Sequence, residues 1–266
     1  MLPVLLLLID KRGFSQVLIK TVQIDKAFER GYSVKKSIFF IVLLIVLAAF
    51  YKYGMKPVTV TAKNIQQSTN LIDIDLKIPV VSGMINQKIQ GKINGQFEKD
   101  ALDFRKKIEK LSVQGKQDAD NSGFPFRKFD STTAFEVAYN KNSLLSIPVE
   151  YYQFTGGAHG STEKKPYNYD LKTGRVIALG DIFKEGYNYK EAINQEVKRQ
   201  IKEKNDLYFT QPGMEFQTIK ENQPFYFVDG GLTIYFAQYE IAPYAAGIPE
   251  FKLPFTLFGN NVKIKG

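Results

Sequence analysis

Apolar residues fall along this chain in three rhythms, each predicting a different element. Between residues 38 and 53 they are continuous: thirteen run from Ile38 to Phe50 and end in Tyr51, Lys52 and Tyr53, with Lys35 and Lys36 directly before them. A helix apolar on every face behind a basic cluster is expected in lipid rather than in a soluble core. With Ser37 and its aromatic end, the stretch approaches the roughly 20 residues of a bilayer span. Beyond it the rhythm becomes alternation. Residues 58–62 and 70–80 read as β-strands, the second placing Ile72, Ile74, Leu76 and Ile78 opposite Asp73, Asp75 and Lys77. Asp73 and Asp75, neighbours on the polar face of a strand, are expected to be solvated. Steps of three and four then take over, as Ile85, Ile89, Ile93, Phe97, Phe104, Ile108 and Leu111 predict a long helix over 84–111. Gly91 and Gly95 lie off that stripe, where they are expected to permit close packing, and its lysine-rich outer face reads as wet surface.

Residues 114–121 are polar and read as a loop or hinge. Strands are expected over 132–139 and 144–150 about the turn Asn140-Lys141-Asn142-Ser143, then over 167–171 and 176–179. Asp181 is expected to cap the turn 182–184. A second amphipathic helix, 189–205, carries Ile193, Val197 and Ile201; a hairpin turns at Asp229-Gly230, and a last strand over 251–255 returns to the sheet. The fold expected is α+β, a mixed or antiparallel sheet packed with two long amphipathic helices on a single N-terminal transmembrane helix. The chain then divides into a short cytoplasmic segment (1–36), an anchor (37–54) and two outer modules (57–150 and 151–259). Within the first of these, residues 14–36 have the pattern of a short amphipathic helix ending at Gly31, and residues 1–9 are apolar but too short to span.

Charge locates the termini. The formal net charge is +9, yet residues 1–54 hold eight Lys/Arg against three Asp/Glu, which is +5 and leaves +4 for everything after them. No basic stripe interleaved with stacking aromatics remains there, so nucleic-acid binding is not expected. Seven Lys/Arg in residues 11–36 place the N-terminus in the cytoplasm and the residues after 54 outside. Small residues at Val46-Leu47-Ala48 lie inside the apolar run rather than after it, so an uncleaved anchor is expected. With no cysteine, a disulfide scaffold, a thiolate zinc site and a cysteine nucleophile are excluded.

Candidate chemistry gathers in two loops. Leu145, Ile147, Val149 and Tyr151 alternate into Thr155-Gly156-Gly157-Ala158-His159-Gly160, which contains three glycines and the single histidine of the chain. His159 either serves a reaction or donates to a backbone carbonyl and pins the loop. Without a second histidine it completes no metal set, so no metal or cofactor is expected. The second loop bears Tyr239, Pro243 and Tyr244 within a small-residue stretch ending at Gly247. Exposed tyrosines on rigid loops are efficient recognition anchors, although half-buried corner residues would carry the same sequence. A hydrolase or deacetylase using His159 with Glu163, Asp170 or Glu240 is the competing reading, weakened by the shortage of metal ligands.

Three motifs, 155–160, the turn Tyr169-Asp170-Leu171-Lys172-Thr173-Gly174, and 239–251, together resemble the extracellular domain of RsiV-type membrane anti-sigma factors. The same pair of modules resembles accessory domains attached to peptidoglycan deacetylases. The likeness covers residues 57 to about 258. It implies no enzymatic activity, an outer domain that binds lysozyme or another cell-envelope component, one membrane helix, and a cytoplasmic segment that holds an extracytoplasmic-function sigma factor. Thr155, Gly156, Gly157, Ala158, His159, Gly160, Tyr239, Pro243 and Tyr244 are the expected ligand-facing residues. The inside portion, at 36 residues with an apolar start, is shorter than the resemblance implies.

Overall fold

The computed structural model describes residues 57–264, together with residues 6–7, 17–18 and 40–44. Two compact units divide it, Met1–Gly54 and Met55–Gly266. In the first, Leu6–Leu7 pairs antiparallel with Val17–Leu18. Val17 therefore lies in a short strand, where the pattern over 14–36 predicts a helix; the rest of that predicted helix lies outside the described residues. Of the expected anchor over 37–54, only residues 40–44 are described, as exposed helix. No helix among the described residues is long and apolar enough to cross a membrane.

The second unit is layered. Strand β1 (Thr59–Ser68) pairs antiparallel with β2 (Ile72–Ser82), and helix α1 (Gln87–Ser122) carries the chain over to β3 (Phe129–Phe135), which lies parallel to β2. Strands β4 (Tyr139–Lys141) and β5 (Leu144–Phe154) form a hairpin whose turn residues Asn142 and Ser143 both take positive φ. Strand β6 (Ser161–Asp170) and the short β7 (Arg175–Val176) complete the sheet, in the order β1-β2-β3-β5-β6-β7 with β4 beside β5.

Helix α1 covers one face of this sheet. Asn86 caps its start by accepting from the Lys88 and Ile89 N–H groups, and Gly123, at φ +74, ends it in the left-handed conformation. Ile93, Phe97, Ala101 and Ile108 enter a core with Ile72, Leu76, Leu145, Ile147 and Tyr167. The expected loop over 114–121 is instead the last turns of this helix. Gln114–Asp118 and Lys116–Asp120 pair at i,i+4, and Gly115 passes so close to Phe129 that a Cβ would stand 2.8 Å from the ring. Gly91 and Gly95, by contrast, have nothing among the described residues within 4 Å of where a Cβ would stand, so they do not serve the close packing expected of them.

The remaining elements form a second layer rather than extending the sheet. Helix α2 (Tyr189–Glu203) packs on a separate three-stranded sheet of β8 (Phe225–Val228), β9 (Gly231–Tyr235) and β10 (Glu250–Pro254). The last strand thus returns to its own sheet, a correction to the single sheet expected. Leu144 joins this second core while Leu145 and Ile147 join the first, so β5 is buried on both faces and reads as a near-continuous apolar run. It runs unbroken through residues 150 and 151. Asp181 does not cap the turn after it: its carboxylate accepts from the Ala178 N–H and pairs with Arg175, closing a 3-10 turn over Leu179–Ile182.

Candidate functional site

The β5–β6 hairpin turns through residues 155–160, with Gln153 opposite Ser161 at its base. Two of its glycines are required by the geometry. Gly156 sits at φ +84, a conformation a Cβ disfavours by about 1–2 kcal/mol. Gly160 is buried against the Tyr152 ring, where a Cβ would overlap the ring atoms. Arg127, just before β3, holds the loop from its other side: its guanidinium donates to the Gly156 and Gly157 carbonyls at 3.2 and 2.6 Å and lies 4.8 Å from the Phe154 ring centroid. Thr155, Gly157, Ala158 and His159 are exposed.

The second loop leaves β9 and is braced internally. Glu240 accepts from the Ala237 N–H and pairs with Lys220. Tyr239 takes a positive φ of 65° although it is not glycine, and Pro243, exposed, starts the short 3-10 turn Tyr244–Ala246 that Gly247 ends at φ +68. Gln238 fastens this loop to the hairpin by accepting from the Thr162 N–H at 2.8 Å.

Where the loops meet, three rings form one cluster. His159 lies 3.9 Å from Tyr244 in a stack tilted by 23°, and Tyr239 stands 5.7 Å from Tyr244. The His159 Nδ1 is 2.9 Å from the Gly160 carbonyl and its Nε2 is 3.0 Å from the Tyr239 hydroxyl. A carbonyl only accepts, so Nδ1 donates to it, while Nε2 and the phenol share the second hydrogen bond. The pinning role expected of His159 is thus present in the geometry, together with a bond across loops that the sequence does not announce. Tyr239 remains 54% exposed and Tyr244 is half-buried. Sequence reasoning missed Arg127 and Gln238, which carry no local motif, and Tyr152, whose contact with Gly160 is made across the hairpin.

The geometry does not assemble a catalytic pair from the carboxylates considered. Asp170 caps its own turn through the Lys172 N–H and the Thr173 hydroxyl, Glu240 is engaged with Ala237 and Lys220, and Glu163 is exposed opposite Tyr151 on β5. Among the described residues no group of three or more His, Asp or Glu is placed to hold a metal ion. The arrangement offers flat aromatic area, a phenol and loop carbonyls on a braced frame.

Residues 65–162 match the family model described as Deacetylase PdaC, and residues 180–256 match that of DUF3298, a protein of unknown function. The chain is similar to anti-sigma-V factor RsiV of Bacillus subtilis, 26% identical over 209 residues that cover 76% of this chain and 69% of that protein. It is also similar to the peptidoglycan-N-acetylmuramic acid deacetylase PdaC of Bacillus subtilis, 24% identical over 160 residues, or 59% of this chain and 32% of that enzyme. The chain therefore spans about a third of that second relative. A solved DUF3298-family protein from Bacteroides fragilis shares the fold, with a TM-score of 0.59 at 20% identity, covering 79% of this chain and 96% of the other. The resemblance to RsiV-type anti-sigma factors stands, carried by a PdaC-like and a DUF3298-like segment in succession.

Proposed function

We propose that this chain is a membrane-anchored recognition protein of the RsiV anti-sigma type, whose folded domain lies outside the membrane and binds lysozyme or another envelope component through the two joined loops. The observation that carries this reading is the His159–Tyr239–Tyr244 cluster, which brings together residues 80 positions apart. Rings held by a hydrogen bond, a stack and a turn lose little freedom on binding, so their contact area is converted efficiently into affinity. Thr155, Gly157 and Ala158 border it on the same hairpin loop, and Pro243 precedes Tyr244. Residues 1–36 are the segment offered to a sigma factor inside, and recognition rather than catalysis is the work of the outer domain.

The test is the affinity of the full chain for lysozyme before and after Tyr244→Ala. A loss of about thirtyfold or more is expected for a central aromatic anchor. Unaltered binding removes these loops from the site.

The PdaC-like segment supports a second reading, an accessory module of peptidoglycan deacetylation that binds without signalling. Residues 1–60 used as bait on cell extracts separate the two. Recovery of a sigma factor supports the signalling reading, and its absence alongside retained ligand binding supports the second.

A further inference from the structure

A groove of about 240 Å³ opens between α1 and the β6–β7 hairpin, lined by Lys92 and Gln96 of the helix and by Lys165, Tyr167, Tyr169 and Val176 of the strands. It shares no residue with the aromatic cluster. Its polar groups divide into those that are occupied and those that are not. Asp100, 14% exposed, accepts from Gln96 at 2.9 Å, from Lys165 at 2.7 Å and from the Tyr167 hydroxyl at 2.8 Å. Tyr167 also meets the Tyr151 hydroxyl at 2.8 Å. One carboxylate thus takes up three donors, including one of the two ammonium groups.

Two donors of the lining remain. Among the described residues the Lys92 ammonium has one hydrogen-bond partner, the Gly174 carbonyl, at a long 3.4 Å. The Tyr169 ring is packed edge-on against Phe97 and the residue is 3% exposed, yet its hydroxyl has no hydrogen-bond partner among the described residues. The hydroxyl is not sealed from solvent, so water satisfies it in the free protein and a ligand oxygen can take that water's place. Burial, reinforced by the nearby Asp100 and Tyr151, pushes its pKa up to about 12, so it stays protonated and able to donate at any physiological pH.

The spare charge of the lining is therefore positive, and tyrosine rings and Val176 supply the walls. We infer that this groove binds a small carboxylate with an apolar, ring-sized body, its oxygens taken by the Lys92 ammonium and the Tyr169 hydroxyl. The groove is smaller than the roughly 300–1,000 Å³ of drug-sized sites, so it accommodates one ring rather than a polymer.

The experiment is a 19F NMR titration of 4-fluorobenzoate against the full chain in lipid nanodiscs, repeated with Tyr169→Phe and Lys92→Gln. Tyr169→Phe removes one oxygen atom and no packing; Lys92→Gln alters an exposed side chain, so one variant stays interpretable if the other misfolds. Each is expected to weaken 4-fluorobenzoate by about tenfold or more, the loss of one hydrogen bond to a charged acceptor. The neutral 4-fluorobenzamide is expected to bind more weakly than the acid to the unaltered chain. Equal affinity of acid and amide, unchanged affinity in both variants, or no binding of 4-fluorobenzoate at millimolar concentration would overturn the inference.

Discussion

Ser146→Ala addresses the joint between the two sheets, on which the meeting of the two loops depends. The Ser146 hydroxyl donates to the Asn168 side-chain oxygen and accepts from the Phe227 N–H at 2.9 Å, while Asn168 donates to the Phe225 carbonyl at 2.8 Å. Ser146 is 0% exposed and Asn168 3%, so water does not replace what is lost. Alanine leaves one buried N–H and one buried amide oxygen unpaired, each costing about 1–3 kcal/mol, for an expected loss of about 2–6 kcal/mol. In a domain of about 150–250 residues each kcal/mol moves Tm by about 2–4 °C, so the expected fall is about 4–24 °C. Ser131→Ala is the matched comparison. Its hydroxyl is equally buried but has no partner, so its removal is expected to be neutral or stabilising. Thermal unfolding of both variants by circular dichroism decides the matter. A fall below about 2 °C for Ser146→Ala, or an equal fall for Ser131→Ala, refutes the reasoning.

Gly156→Ala is expected to destabilise by about 1–2 kcal/mol through its φ of +84 alone, since the added Cβ would meet Phe129 only at 3.6 Å; denaturant midpoints measure this. Gly160→Ala is expected to clash with the Tyr152 ring and shift the Gly160 backbone, whose carbonyl His159 bonds, so ligand affinity should fall more than stability does, as binding and melting on one preparation would show. Burial raises the Asp100 carboxyl, but hydrogen bonds from Lys165, Gln96 and Tyr167 outweigh it and hold the pKa below its ordinary 3.8. A depressed carboxyl pKa contributes stability above that ordinary value and loses it as pH falls from there through the folded value. Asp100→Asn is therefore expected to flatten the loss of stability below about pH 4, measured as Tm against pH.

Much of the fold is legible because local rhythm and burial agree. Ile72, Ile74, Leu76 and Ile78 alternate and are all buried, and Ile93, Phe97 and Ile108 keep helical spacing against the sheet. The polar end of α1 misleads for the same reason: residues 114–121 lack an apolar stripe, and their helical state rests on i,i+4 pairs and on the Phe129 ring against Gly115, a contact with a distant strand. Leu144 to Val149 read as one strand, but that its two faces serve two cores is a property of what packs on either side.

The candidate site divides in the same way. By itself the sequence determined that residues 155–160 must turn sharply and that the stretch around Tyr239 and Tyr244 is a loop, because glycine and proline restrict the backbone locally. Only the tertiary structure decided that His159 stacks on Tyr244 and bonds to Tyr239, that Arg127 braces the hairpin, and that the Tyr169 hydroxyl has no hydrogen-bond partner among the described residues. Backbone preference is a property of neighbours in the chain, whereas a hydrogen bond or ring stack between distant segments exists only after two sheets have packed and set the spacing between their loops.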